Sequence, residues 1–172
     1  MKKILFVCTG NICRSVMAEY LLKKLLAKNN ITDISVSSAG IDGNPEYKTF
    51  GYLSELFIKK DIDNSKHIST KLTGRHLADY DIIVVMERMQ KRYITKRYSW
   101  AEEKTVLLKK LAGYGDIDIS DPINKPPEFY DMAFEQINDC INKILPILLT
   151  NEENKNGSAD GTATQNVPCE TK

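Results

Sequence analysis

The sequence predicts an α/β fold: a single-domain three-layer sandwich in which an open, twisted parallel sheet of four strands is flanked by helices. Short apolar runs alternate with helical segments along the chain, which is the pattern of a parallel sheet covered on both faces. The first apolar run ends in a loop of small and polar residues that opens directly into a helix. With 172 residues, 42% apolar and 27% charged, the chain is long enough for one core and short for two.

Strand one reads Lys3 to Cys8, with Ile4-Leu5-Phe6-Val7 as its apolar centre. A helix follows from near Ser15 to Lys28, in which Ala18, Leu21, Leu22, Leu25 and Leu26 recur at helical spacing. Strand two, near Ile34 to Ser37, leads to the turn Gly43-Asn44-Pro45 and a helix from about Tyr47 to Lys59. Thr73 is read as the cap of a short helix through Leu77, Asp81 to Met86 as a buried strand, Glu87 to Arg97 as a charged helix, and Thr105 to Leu108 as the last strand. The final helix starts after Pro126-Pro127 with Phe134, Ile137, Ile141, Ile144, Leu145 and Leu148 on one face, and Pro146 should limit or kink it. Residues 1–149 are therefore expected to fold, and the polar stretch 150–172 is expected to be a disordered tail in which Cys169 is an exposed thiol.

A net charge of +1 gives no general attraction to nucleic acid or to a membrane. The four cysteines lack the paired spacing of zinc sites, and no metal or cofactor is expected. Met1-Lys2-Lys3 and the apolar residues after it resemble the opening of a signal peptide. The run stops at Thr9-Gly10-Asn11, however, short of the ~7–15 residues that such a segment needs. No membrane-spanning stretch follows, and a thiol that must stay free points to a reducing compartment, the cytoplasm.

The chemistry is concentrated in Cys8-Thr9-Gly10-Asn11-Ile12-Cys13-Arg14-Ser15. A strand ending at Cys8 and a helix starting near Arg14 leave a tight loop whose backbone N–H groups converge on one point at the positive end of the helix dipole, where an anion would sit. Helix N-termini and neighbouring cations favour the thiolate, so Cys8 is expected to be the nucleophile. Arg14 stays protonated and grips two phosphate oxygens with its planar fork. Ser15 can donate its hydroxyl to the Cys8 sulfur, Gly10 permits an unusual backbone angle, and Asn11 tolerates the left-handed region. A Cys-x5-Arg pair alone is weak, and a buried strand-end thiol is the plain alternative; the strand, the helix and the loop composition make the pattern specific.

Val7 to Glu19 resembles the signature of the low-molecular-weight protein tyrosine phosphatase family. Further matches follow in family order: Ser38-Ala39-Gly40, Gly43-Asn44-Pro45, His67-x-Ser69, Tyr80-Asp81-Ile82-Ile83, Met86-Glu87 and Asp121-Pro122, covering roughly residues 3 to 148. The resemblance implies a phosphocysteine intermediate on Cys8, phosphate held by Thr9 through Ser15, and Asp121 as the acid that protonates the leaving group and then activates water. From the residues alone an ordinary Asp-Pro turn is the favoured reading of Asp121, and the resemblance reverses that preference. Asn11, Ser15, Ser38 and His67 are expected to support the loop from behind, the histidine on the resemblance alone. Cys13 lies near enough in sequence for a Cys8–Cys13 disulfide after oxidation, and packing beneath the loop is the compatible plain reading. Ile12, where similar protein-arginine phosphatases carry threonine, favours phosphotyrosine. Tyr47 is expected to wall the substrate cleft, or else to be a surface tyrosine. The implied partner is a phosphotyrosine-containing protein, such as a tyrosine kinase.

Four positions depart from the family: Ile123 and Asn124 stand where two tyrosines are common, Val16 where proline is, and Glu87 where aspartate is. Arsenate reductase and protein-arginine phosphatase on the same fold are the alternative activities. The first usually needs a cysteine pair after the third strand, and no cysteine lies between Cys13 and Cys140. A non-enzymatic phosphate-binding module would keep the loop and dispense with Asp121.

Overall fold

A computed structural model describes residues 1–49 and 51–150 of the chain. Its elements in order are β1 (Lys2–Cys8), α1 (Arg14–Lys28), β2 (Ile34–Gly40), α2 (Gly51–Lys59), α3 (Gly74–Asp79), β3 (Ile82–Val85), α4 (Arg88–Arg97), β4 (Thr105–Leu107), α5 (Leu108–Leu111) and α6 (Pro127–Thr150). Among the described residues the strands form one parallel sheet in the order β2-β1-β3-β4, as expected.

Alternation along β1 divides the core between the two faces of the sheet. Ile4, Phe6 and Cys8 face the larger cluster, built from α1, α2 and α6, where Met17, Leu22, Phe57, Phe134, Ile137 and Ile144 are buried. Leu5 and Val7 face the smaller cluster with Leu77 of α3, Ile94 of α4, and Ile83, Val85 and Leu107 of the neighbouring strands. The strand order places the topological switch between β1 and β3, because the chain leaves β1 for β2 on one side and returns to β3 on the other. In open α/β sheets the carboxyl ends of the strands at such a point are where ligands bind.

The differences from the sequence reading have local causes. The segment 47–49 is not helical: the backbone N–H of Glu46 donates to Asn44 Oδ1 at 3.0 Å and that of Tyr47 to the Asn44 carbonyl at 2.8 Å, so the turn after β2 extends past the expected helix start. β3 is confined to Ile82–Val85, and Glu87 is the residue that caps α4 rather than its first turn. Leu108 does not continue β4 but opens the four-residue α5, too short to display a helical period. α6 runs through Pro146 to Thr150, and the Lys2 ammonium donates to the Leu148 carbonyl beyond it, tying that last turn to the start of β1. The cap at Thr73 forms as read: its Oγ1 accepts from the His76 N–H at 3.3 Å while its own N–H donates to His76 Nδ1 at 3.1 Å. Residues 151–172, with the expected tail and Cys169, lie outside the described residues. Among the described residues, no helix is long and apolar enough to cross a membrane.

Ile137 of α6 is fully buried in the larger cluster. Ile137→Ala is expected to lower stability by about 2–5 kcal/mol in urea unfolding, with the slope unchanged.

Candidate active site

Polar groups are costly to bury, so their location in the core is informative. Among the described residues the buried polar side chains are Asn11, Arg14, Ser15, Glu19, Ser69, Gln90 and Thr105. All but Thr105 belong to one network around the loop between β1 and α1, and no buried side-chain polar atom among the described residues lacks a partner.

Cys8 ends β1, paired in register with Gly40 of β2. Its Sγ accepts from the Asn11 N–H at 3.3 Å and lies 3.0 Å from Ser15 Oγ. Asn11 sits in the left-handed region (φ 53°), which turns its N–H back towards the sulfur. Its side chain holds that conformation with three hydrogen bonds: Nδ2 donates to Ser15 Oγ (3.0 Å) and Ser38 Oγ (2.7 Å), and Oδ1 accepts from the Thr70 N–H (2.8 Å). Because Ser15 Oγ accepts from Asn11, its own hydrogen is free for the Cys8 sulfur. Ser38 likewise passes its hydrogen to Glu19 Oε2 at 2.5 Å, and Lys23 donates to Glu19 Oε1. The backbone carbonyls are fixed as well: His67 Nε2 donates to that of Asn11 and Ser69 Oγ to that of Gly10, both at 2.8 Å. The bond to a carbonyl sets the His67 tautomer with hydrogen on Nε2.

Arg14 opens α1 with 2% of its surface exposed. One terminal nitrogen donates to Glu87 Oε1 (2.6 Å) and the Ile119 carbonyl (2.7 Å), and the other donates to Asp121 Oδ2 (2.6 Å). Burial opposes the charge, but Asp121, Cys8 and Glu87 outweigh it and push the guanidinium above its ordinary range. Asp121 is itself aimed by the Ile123 N–H, which donates to Oδ1 at 3.2 Å, and its side chain is 36% exposed. Cys13 packs beneath the loop, and burial, reinforced by the charges of Cys8 and Asp121, pushes its thiol well above the usual thiol range against the pull of Arg14. Thr9 is exposed at the rim, and Ile12 shows 8% of its surface.

Cys8, Asn11, Arg14, Ser15, Ser38, His67 and Asp121 are thus brought together. Tyr47 is not: it is exposed after the Asn44 turn, and among the described residues no hydrogen bond or ring contact joins it to the loop. The sequence reading gave no role to Glu19, Ser69, Glu87 or Gln90. The available signal was position: Glu19 lies one helical turn beyond Ser15, and Glu87 follows the buried strand β3. Gln90 accepts from the N–H groups of Met86 (2.9 Å) and Glu87 (3.1 Å) with Oε1, and its Nε2 reaches Thr9 Oγ1 and Glu87 Oε2, both at 3.4 Å.

Three of the departures now have structural reasons. Glu87 spans to Arg14, Val16 is buried in the core under the first turn of α1, and Asn124 takes a positive φ (61°) inside the turn closed by Lys125 N–H to the Pro122 carbonyl.

A buried cysteine at the end of a central parallel strand, an anion-binding loop closed by arginine, and a carboxylate paired to that arginine define a phosphatase-type α/β protein. A family model described as low molecular weight phosphotyrosine protein phosphatase matches residues 3–158, and the chain belongs to that family. It is 36% identical over 140 residues, 81% of this chain and 93% of the relative, to the low molecular weight protein-tyrosine-phosphatase Ptp of Acinetobacter johnsonii. Among solved structures, the YwlE arginine phosphatase of Geobacillus stearothermophilus superposes with a TM-score of 0.81 at 30% identity, covering 90% of this chain and 97% of that one. Wzb of Vibrio vulnificus in complex with benzylphosphonate gives 0.72 at 32% identity, covering 82% and 94%.

Gly40 has no room for a side chain, since a Cβ would lie 2.6 Å from the Thr9 carbonyl oxygen and 2.7 Å from Asn11 N. Gly40→Ala is expected to displace the loop and weaken phosphate binding, read by calorimetry, by roughly tenfold or more. Glu87→Gln removes one counter-charge from a buried guanidinium and is expected to cost about 1–3 kcal/mol in chemical denaturation.

Proposed function

We propose that this chain hydrolyses phosphotyrosine in proteins through a phosphocysteine on Cys8. The Arg14–Asp121 ion pair at 2.6 Å carries the reading, because it sets an anion-binding cation and a proton-transferring carboxyl side by side at the loop that holds the thiol. The phosphoryl oxygens take up the loop N–H groups and displace Asp121 from the Arg14 fork, which balances the charge spread over them in the transition state and frees the Asp121 carboxyl to carry a proton. Cys8 sulfur attacks phosphorus; the S–P bond forms as the P–O bond to the tyrosyl oxygen breaks, and protonated Asp121 delivers its hydrogen to that oxygen. Asp121 then takes a proton from water as the water oxygen attacks phosphorus, the S–P bond breaks, and the thiolate leaves into the hydrogen bonds of Ser15 and Asn11.

Ile12 supports phosphotyrosine, since an aliphatic side chain at the middle of the loop packs on the face of a ring. A phosphoarginine reading is favoured by one observation, the likeness to the arginine phosphatase structure at a TM-score of 0.81. The substrate partner is a phosphotyrosine protein, with a tyrosine kinase one member of that class. The free thiols Cys8, Cys13 and Cys140 suit the reducing cytoplasm.

The reading is tested with phosphotyrosine, phosphoserine and phosphoarginine peptides in reducing buffer with EDTA. Turnover of phosphotyrosine is expected, with Cys8→Ser inactive and Asp121→Ala slowed roughly 10²–10⁴-fold in kcat. Turnover of phosphoarginine in its place would transfer the assignment to that substrate, and tight phosphate binding without turnover would leave a binding module. Peroxide is expected to convert the Cys8 thiolate to a sulfenic acid, which the Cys13 thiol attacks with loss of water to give a disulfide that dithiothreitol reverses. Mass spectrometry should find that bond in the wild type and not in Cys13→Ala. Without oxidant at pH 7.5, iodoacetamide should leave Cys13 unmodified, because burial keeps it a neutral thiol.

A further inference from the structure

The helix α4 reads Arg88-Met-Gln-Lys-Arg-Tyr-Ile-Thr-Lys-Arg97, with cations at Arg88, Lys91, Arg92, Lys96 and Arg97 and no acidic residue. In a chain of 24 cations and 23 anions, this is a local concentration and not a consequence of composition. The helix turns Gln90 and Ile94 into the protein and leaves Arg88, Arg92 and Lys96 exposed. These three stand at i, i+4 and i+8, so they form one row on the outer face. Beside it runs a short apolar row, Met89 (66% exposed) and Tyr93 (44% exposed).

Like charges at i, i+4 destabilise a helix, so this row is not there for the stability of α4. Arg88 is taken up by Asp118, to whose carboxylate it donates at 3.1 Å, and Arg97 turns to the Tyr98 hydroxyl at 3.3 Å. Among the described residues, no carboxylate pairs with Lys91, Arg92 or Lys96. The helix is also attached to the candidate active site: Glu87, immediately before it, holds Arg14, and Gln90 on its inner face reaches Thr9 of the loop. At about 1.5 Å per residue, Arg92 lies about 6 Å along the helix from Arg88, and Lys96 about 6 Å further. An extended peptide places alternate side chains, which share a face, at about that spacing.

We infer that the Arg92–Lys96 face of α4 is a docking surface for an acidic segment of the substrate protein that flanks the phosphorylated residue. The inference rests on the phosphotyrosine-protein reading and adds to it a substrate class: sequences with carboxylates at alternate positions within a few residues of the phosphotyrosine. Exposed charges of this kind act on encounter and on KM, and their effect falls with ionic strength. The phosphoryl step at Cys8 does not depend on them.

The test compares two phosphotyrosine peptides of equal length, one flanked by alternating Glu residues and one by Gln at the same positions. The wild type and the double variant Arg92→Glu, Lys96→Glu are both assayed, with p-nitrophenyl phosphate as the small substrate. The wild type is expected to show a KM for the Glu peptide roughly three- to tenfold below that for the Gln peptide at low salt, with equal kcat. The preference should vanish in the double variant and shrink at high salt, while p-nitrophenyl phosphate turnover stays the same. Equal KM values for the two peptides in the wild type, with turnover intact, would overturn the docking surface and leave the phosphatase reading standing. The same result together with sedimentation of the wild type, but not the variant, on phosphatidylglycerol vesicles would reassign the face to a membrane. Absence of turnover on both peptides and on p-nitrophenyl phosphate would remove the phosphatase reading and this inference with it.

Discussion

A guanidinium with 2% of its surface exposed stays charged in a protein interior only if fixed acceptors surround it, and Arg14 is where the carboxyl ends of β1 and β3 are drawn together with the segment that follows α5. Its own position comes from β1, Glu87 from the end of β3, and the Ile119 carbonyl with Asp121 from the segment beyond β4. Removing any one of these partners leaves charge in the low-dielectric region, so the three segments are held as a unit. The same contacts place Asp121 beside the loop that ends at Cys8. An interaction that would be weak at the surface is decisive here because the guanidinium is almost wholly shielded from solvent.

The loop itself is held by a second constraint, the left-handed backbone of Asn11. A non-glycine residue adopts it only when its surroundings over-determine it, and Asn11 uses its amide and both flanking backbone groups to do so. The hydrogen bonds that link Lys23 to the Cys8 sulfur diverge from Asn11, whose Nδ2 donates through Ser38 to Glu19 on one side and through Ser15 to the sulfur on the other, while Glu19 also accepts from Lys23. Each link strengthens the next in a medium of low dielectric. The close approach of β2 at Gly40 is part of the same device, since a side chain there would occupy the space of the loop backbone.

Much of this was legible in the residues. Period-two and helical patterning located the strands and most of the helices, and the octet from Cys8 to Ser15 with Asp121-Pro122 marked the candidate site that the fold brings together. The errors fell where local hydrogen bonding competes with periodicity. Asn44 extends the turn into residues 45–47, and Leu108 begins a single helical turn that mimics the end of a strand. Tyr47 was read as a cleft wall or a surface tyrosine, and the observed turn leaves it exposed.

The sequence by itself determined the candidate reacting groups and the strand and helix that present them, because Cys8, Arg14 and the loop between them are contiguous in the chain. It also determined the sheet, since apolar runs of that length and spacing have few other ways to be buried. What only the tertiary structure decided is the long-range pairing: Glu87 with Arg14, Glu19 with Ser38, the Thr70 N–H with Asn11, and the common outward row of cations on α4. Those contacts join residues up to 107 positions apart, as in Arg14 with Asp121, and depend on strand order and register. A local pattern carries no information about which distant carboxylate a buried cation will meet.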